Sequence, residues 1–151
     1  MERRRFLIAA SALVAAPAAR AQPGRSMRRI GYLSGGIDYA KRKTPSPHHQ
    51  AFLRGLAEKG FVAGKNVSIE YRFAEERIES LPALAAELVE REVEVIFGWA
   101  TAAFAAAKAT QSIPVVFTAV PDPVASGLVK SFARPGGNVT GLSNIDLSTK
   151  R

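Results

Sequence analysis

The sequence contains no cysteine. That excludes disulfides, thiolate metal sites, a thiol nucleophile and lipid attachment at an N-terminal cysteine. It has no apolar stretch of the roughly 20 residues that a membrane-spanning helix needs. No serine sits in a Gly-x-Ser-x-Gly elbow, no Gly-x4-Gly-Lys-Ser/Thr phosphate loop occurs, and no carboxylate pair is placed by a pocket motif, so neither catalysis nor a cofactor is expected. His48 and His49 are adjacent and diverge on a helix, whereas a metal pair needs a spacing of three or four, so no metal site is expected. Acidic residues are in the minority: 13 Asp and Glu stand against 21 Lys and Arg, a net charge of +8. The positive residues are scattered apart from Arg28-Arg29 and Lys41-Arg42-Lys43, and no aromatic residues interleave with them to stack bases. Nucleic acid is therefore not an expected partner.

Part of that charge belongs to an export signal. Arg3, Arg4 and Arg5 form a positive end, Phe6 to Ala16 is an apolar run broken only by Ser11, and Ala19-Arg20-Ala21 offers a cut before Gln22. The run is too short to span a bilayer, so residues 1–21 read as a removable signal peptide, cleaved near Ala21, and not as an anchor. The order Arg3-Arg4-Arg5-Phe6-Leu7 resembles the twin-arginine export pattern, although Glu2 and Ile8 depart from it; the general secretory route is the alternative. Removing residues 1–21 takes away four arginines and one glutamate and lowers the net charge from +8 to +5. The expected location is the periplasm. Residues 22–28 then read as a linker.

From Arg29 onward the pattern is regular. Strands are expected at Arg29–Ser34, Asn66–Phe73, Val93–Phe97, Ile113–Thr118 and Val139–Leu142. Asn66–Phe73 alternates apolar and polar residues and belongs near a sheet edge. Helices are expected at His49–Lys59, with Gly60 as the stop, at Ser80 to about Glu92, at Thr101–Thr110, and as a short turn of helix through Leu128, Val129 and Phe132. This alternation predicts an α/β fold: a three-layer, Rossmann-like lobe with a five-stranded, mainly parallel sheet. Ligands of such sheets bind beyond the carboxyl ends of the strands. Ser34 to Gly36, Gly98 to Thr101 and Val120 to Pro123 occupy that edge.

Six segments in order carry a family resemblance. They are Ile30–Gly35, Gly64–Arg72, Leu81–Val89, Ile113–Phe117, Asp122–Val124 and Ala133–Gly141. Together they resemble the ABC-transporter substrate-binding family that includes tryptophan- and tyrosine-binding members. The resemblance implies a type I periplasmic-binding-protein fold, in which two α/β lobes close over a small solute and present it to a membrane permease. Family members run to about twice this length. Residues 29–151 are accordingly expected to be the N-terminal lobe alone, truncated before the second, with the complete protein a monomer. A lone lobe should bind solute weakly or not at all, and the best candidate solute is an amino acid or related compound. Two other readings share the fold class: the ligand-binding sensory half of a signalling protein, and a flavodoxin-like enzyme.

Each candidate ligand-binding residue has a plain structural alternative. The Thr101 hydroxyl and nearby N–H groups suit a carboxylate, or Thr101 is simply an N-cap. Trp99 suits stacking on an aromatic solute, or packs against the other lobe. Asp122 suits a solute ammonium, or caps the helix that begins at Pro123. Ser34, Gly35 and Gly36 suit polar contacts, or form a tight turn. Arg134 to Gly141, though the most recognisable stretch, reads as a turn entering a strand.

Overall fold

The computed structural model describes residues 27–41, 43–44 and 46–144. The expected signal peptide, residues 1–21, and most of the expected linker lie outside them. The main elements are β1 (Arg28–Ser34), α1 (Pro47–Glu58), β2 (Val67–Phe73), α2 (Leu81–Glu90), β3 (Val95–Trp99), α3 (Ala102–Ala109), β4 (Val115–Val120) and β5 (Val139–Ser143). The strands form one sheet in the order β2-β1-β3-β4-β5. Every adjacent pair is parallel. β2 lies at an edge, as its alternating pattern requires.

Successive side chains of a strand point to opposite faces of the sheet. On one face Leu33, Ile96, Val115 and Phe117 form a cluster with Ala85 and Leu88 of α2 and Ala102, Ala103 and Ala106 of α3, none more than 3% exposed. Burial of each large aliphatic side chain here contributes about 1.5–3 kcal/mol. The alanines of α3 let that helix approach closely; a Cβ on Gly98 would stand 2.7 Å from the Ala103 Cα. α1 covers the other face through Phe52, whose ring lies 4.8 Å from Phe97 and 5.1 Å from Tyr32. Ser46 starts α1 by accepting the His49 N–H at 3.4 Å. After the helix, Gly60 takes φ +83°, where a side chain would be strained, and its N–H donates to the Ala57 carbonyl.

Three sequence expectations need correction. The segment through Leu128, Val129 and Phe132 is not a helix but a run of turns. Its N–H groups double back, those of Leu128 and Val129 both donating to the Pro123 carbonyl, and Gly127 adopts φ +74°, which breaks a helical path. Val129 is buried while Phe132 is 61% exposed, so the spacing marked one anchor and not an apolar helix face. Ser80 does not cap α2 with its side chain; its Oγ donates to the Arg77 carbonyl at 2.7 Å. β3 and β4 each begin and end about two residues later than expected, which places Trp99 within β3. By contrast, the turn before β5 has the structural role assigned to it. Gly136 and Gly137 take φ +74° and +71°, and Asn138 Nδ2 donates to the Thr110 and Ile113 carbonyls at 3.1 and 2.7 Å.

Candidate functional site

The order β2-β1-β3 means that the chain leaves β1 in one direction and β3 in the other, which opens a crevice at their carboxyl ends. Two cavities lie there. The first, about 160 Å3, is lined by Ser34 and Gly36 at the end of β1, Tyr39 in the following loop, Ser46 and His48 at the start of α1, and Trp99. The second, about 280 Å3, is lined by Thr118, Ala119, the exposed Leu142, Ser143 and Asn144 beside the same His48 and Trp99. These two rings, 4.7 Å apart, form a wall common to both spaces. Among the described residues neither lining includes a lysine, arginine, aspartate or glutamate. The site offers ring faces, the aliphatic Ile37 and Leu142, hydroxyls and backbone groups, the composition of a pocket for a small organic solute.

Local folding places each sequence-derived candidate. Ser34 is buried, and its Oγ accepts the Gly36 N–H at 3.2 Å, so the turn after β1 is real and also faces the first cavity. Gly35 lies behind it. A Cβ there would meet Ile78 at 2.8 Å and the Thr101 Oγ1 at 3.6 Å, which brings Gly35 beside Thr101. Thr101 precedes α3 in helical conformation and makes no side-chain cap bond. It lines neither cavity, and neither does Asp122, whose Oδ1 accepts the Ala125 N–H at 2.9 Å. Ser34, Gly36 and Trp99 are thus brought together, while Gly35 and Thr101 stand just outside and Asp122 secures a turn.

Sequence reading missed Tyr39, Ser46, His48, Thr118 and Ala119. In the sequence His48 stands out only as the neighbour of His49; among the described residues no group of three or more His, Cys, Asp or Glu is placed to hold a metal. A backbone feature marks Ala119 as well. Ala100 and Ala119, after β3 and within β4, have φ +50° and +58°, a conformation costing a non-glycine residue about 1–2 kcal/mol. The Ala100 N–H donates to the Thr118 carbonyl at 2.9 Å, and the β4–β5 register shifts between Phe117 and Val120. Such strain and bulges gather at sites where a backbone must be aimed.

Behind the first cavity lies an aromatic cluster. All three tyrosines and both histidines of the chain gather around this crevice. The Tyr32 and Tyr39 hydroxyls are 2.7 Å apart, and His49 Nε2 is 2.8 Å from the Tyr71 hydroxyl. Burial, reinforced by Tyr39, pushes the Tyr32 hydroxyl far above its usual range and that of Tyr71 up to about 12. Burial also lowers the His49 pKa. Burial thus favours the neutral forms of Tyr32, Tyr71 and His49.

Comparison with known proteins identifies the family and the fold. The family description "ABC transporter substrate binding protein" matches residues 46–151. A tyrosine-binding protein of Clostridioides difficile (strain R20291) is 38% identical over 96 residues, covering 63% of this chain and 28% of the relative. The ligand-free, open structure of a substrate binding protein with adhesive properties from Clostridium difficile matches with a TM-score of 0.72 at 31% identity, covering 82% of this chain and 41% of that one. An ABC domain in complex with L-Trp from Streptococcus pneumonia matches at 0.65 and 31% identity, covering 78% of this chain and 39% of that one. The present chain therefore spans well under half the length of these relatives. By the extent of its match, the chain belongs to the ABC transporter substrate binding protein family.

Proposed function

We propose that residues 27–144 form the first of two lobes of a receptor that captures a small solute and presents it to an ABC permease. The carrying observation is the crevice at the carboxyl edge of the sheet, walled by Trp99 and His48 and lined, among the described residues, by no lysine, arginine or carboxylate. The solute is an amino acid or related compound, with aromatic members favoured because a ring fits between ring faces. The names of the Clostridioides and Streptococcus relatives point the same way. Ser34 and Gly36 supply polar contacts and Trp99 a stacking surface, with Gly35 and Thr101 backing them from just outside the cavities. Asp122 has its Oδ1 committed to the Ala125 N–H and is left out of this contact set. The protein performs no catalysis and works as a monomer. Residues 1–21 direct it to the periplasm by the twin-arginine route, in keeping with a family whose members typically act outside the cytoplasm.

Closure of a second lobe over the crevice follows from the differential contacts that the solute makes in the closed form. One lobe supplies only part of the cleft, so affinity for this chain alone should be near millimolar, about 4 kcal/mol of binding free energy. The test is a titration of the protein beginning at Gln22 with L-tryptophan, L-phenylalanine and L-alanine, followed by amide chemical shifts. The aromatic solutes should move the signals of Ser34, Gly36, Tyr39, His48, Trp99 and Thr118. Unmoved signals at millimolar solute would overturn the assigned site. Micromolar affinity would overturn the division of the cleft between two lobes.

A further inference from the structure

We infer that His49 is a positioning residue for this site: it holds Tyr39 as a wall of the first cavity and makes that wall sensitive to pH. The inference rests on the receptor reading above for its consequence, but not for its geometry. The loop between β1 and α1 reaches the cavity through Gly36, Ile37 and Tyr39. Tyr39 is held from behind. Its ring is stacked on the His49 imidazole, centroids 4.2 Å apart and planes 18° apart, and meets the edge of Phe73 at 4.9 Å. Its hydroxyl lies 2.7 Å from that of the buried Tyr32.

His49 is itself pinned. Its Nε2 is 2.8 Å from the Tyr71 hydroxyl, its backbone N–H donates to Ser46 Oγ, and its ring meets Tyr32 and Tyr71 edge-on. The groups facing it are therefore Tyr32 from β1, Tyr39 from the loop, Tyr71 from β2 and Ser46 at the helix start. On the loop, Lys41 is paired with Glu75 of the β2–α2 connection. Among the described residues no carboxylate pairs with His49. The Tyr39 face offers a cation some attraction, yet burial prevails and disfavours the imidazolium.

Opening the Tyr39 loop uncovers one face of His49 and moves its titration toward the ordinary value of about 6.5, while His49 with Tyr39 in place titrates lower. Support for the ordered loop is therefore complete above about pH 6.5 and is lost as pH falls through the interval between those two values. The imidazole is an aromatic plate when neutral and an unwelcome charge when protonated.

The test uses two variants with opposite losses. His49→Phe keeps a stacking ring and removes the proton site; His49→Gln keeps a polar partner for Tyr71 and removes the ring. The first readout is amide hydrogen exchange at Ala40 and Lys41, whose N–H groups donate to the Asp38 side chain and carbonyl at 3.0 Å. Wild-type protection should fall by up to about tenfold per pH unit below pH 6.5, while His49→Phe stays flat. His49→Gln should be poorly protected at every pH. The second readout is the affinity for L-tryptophan at pH 8, about three- to tenfold weaker in His49→Gln and close to wild type in His49→Phe. Identical pH profiles in wild type and His49→Phe would overturn the inference. So would full protection in His49→Gln. If no variant binds solute, the receptor reading fails and the exchange profiles alone decide whether His49 holds the loop; if His49→Gln does not fold, the comparison of wild type with His49→Phe still decides.

Discussion

Replacing Gly98 with alanine adds one methyl group where β3 passes beneath α3. Its Cβ would lie 2.7 Å from Ala103 Cα, 3.0 Å from Ala103 N and 3.2 Å from Ala103 Cβ. The two closest atoms are backbone, which cannot rotate aside. Carbon atoms pack best at about 3.5–4.0 Å, so α3 and β3 must separate by roughly 1 Å. Core overpacking costs about 1–3 kcal/mol, and a backbone obstacle puts this substitution at the upper end, near 3 kcal/mol. Gly55→Ala is the internal control. It lies within α1, a Cβ there meets nothing within 4 Å, and removal of glycine from a helix should stabilise by about 0.5–1 kcal/mol. The same chemical change should thus give opposite signs at two sites. Urea unfolding followed by circular dichroism reads both, and with a slope of about 1–3 kcal/mol/M the Gly98→Ala midpoint should drop by at least about 1 M. A Gly98→Ala midpoint within error of wild type would refute the account of how α3 is seated. Because Trp99 follows Gly98, the same variant should also disturb the Trp99–His48 wall.

Other substitutions probe the strained backbone, the turn before β5 and the wall itself. Ala119→Gly releases a left-handed conformation worth about 1–2 kcal/mol against an unfolded-state entropy gain of about 0.4–1 kcal/mol, so thermal melting should rise slightly. A drop would mean that the Ala119 methyl packs more than it strains. Asn138→Ala leaves the Thr110 and Ile113 carbonyls without their side-chain donor and should cost about 1–3 kcal/mol in denaturant unfolding. Glu87→Gln weakens the 2.7 Å pair with Arg72, but Glu87 is half exposed, so the loss should stay below about 1 kcal/mol and shrink further in salt. Trp99→Ala should abolish the amide shifts caused by L-tryptophan, and binding of unchanged strength would remove the aromatic wall from the proposal.

The sheet was legible because its signals are local. Val67, Ile69, Tyr71 and Phe73 alternate with polar residues, and the short apolar runs of β3 and β4 are bounded by turn-forming residues, which is what parallel strands demand. The connection through Leu128, Val129 and Phe132 was not legible, since helical spacing of three apolar residues also arises when turns bury one of them, here Val129. The site divides in the same way. Ser34, Gly36 and Trp99 could be named because they sit at strand ends, whose position follows from the strands. Tyr39, Ser46 and His48 reach the crevice only because the chain after β1 folds back over it, held by partners as far away in sequence as Tyr71 and Glu75. Ala119 depends on a bulge for which the sequence carries no visible mark.

The two faces of the sheet are packed to different standards, and the site draws on both. Toward α2 and α3 the contacts are dry and made by small or aliphatic side chains, with Gly98 fixing the spacing. Toward α1 no residue of the helix is buried; rings with hydroxyl partners make the contacts near the crevice, and a cavity of about 370 Å3 lined by Ile30, Leu56, Val95 and Val116 separates the rest of the helix from the sheet. Segments with few buried apolar contacts open at lower free energy than the core. Trp99 is therefore carried on the rigid half, at the end of a strand locked by α3. His48 and Tyr39 are carried on the half that yields first. In native-state hydrogen exchange, amides of α1 and of the loop at Tyr39–Lys41 should open well before those of β3 and β4. A solute that bridges Trp99 and Tyr39 would join the two halves, so its binding should slow exchange in α1 more than in β4, an asymmetry that uniform stabilisation of the lobe would not produce.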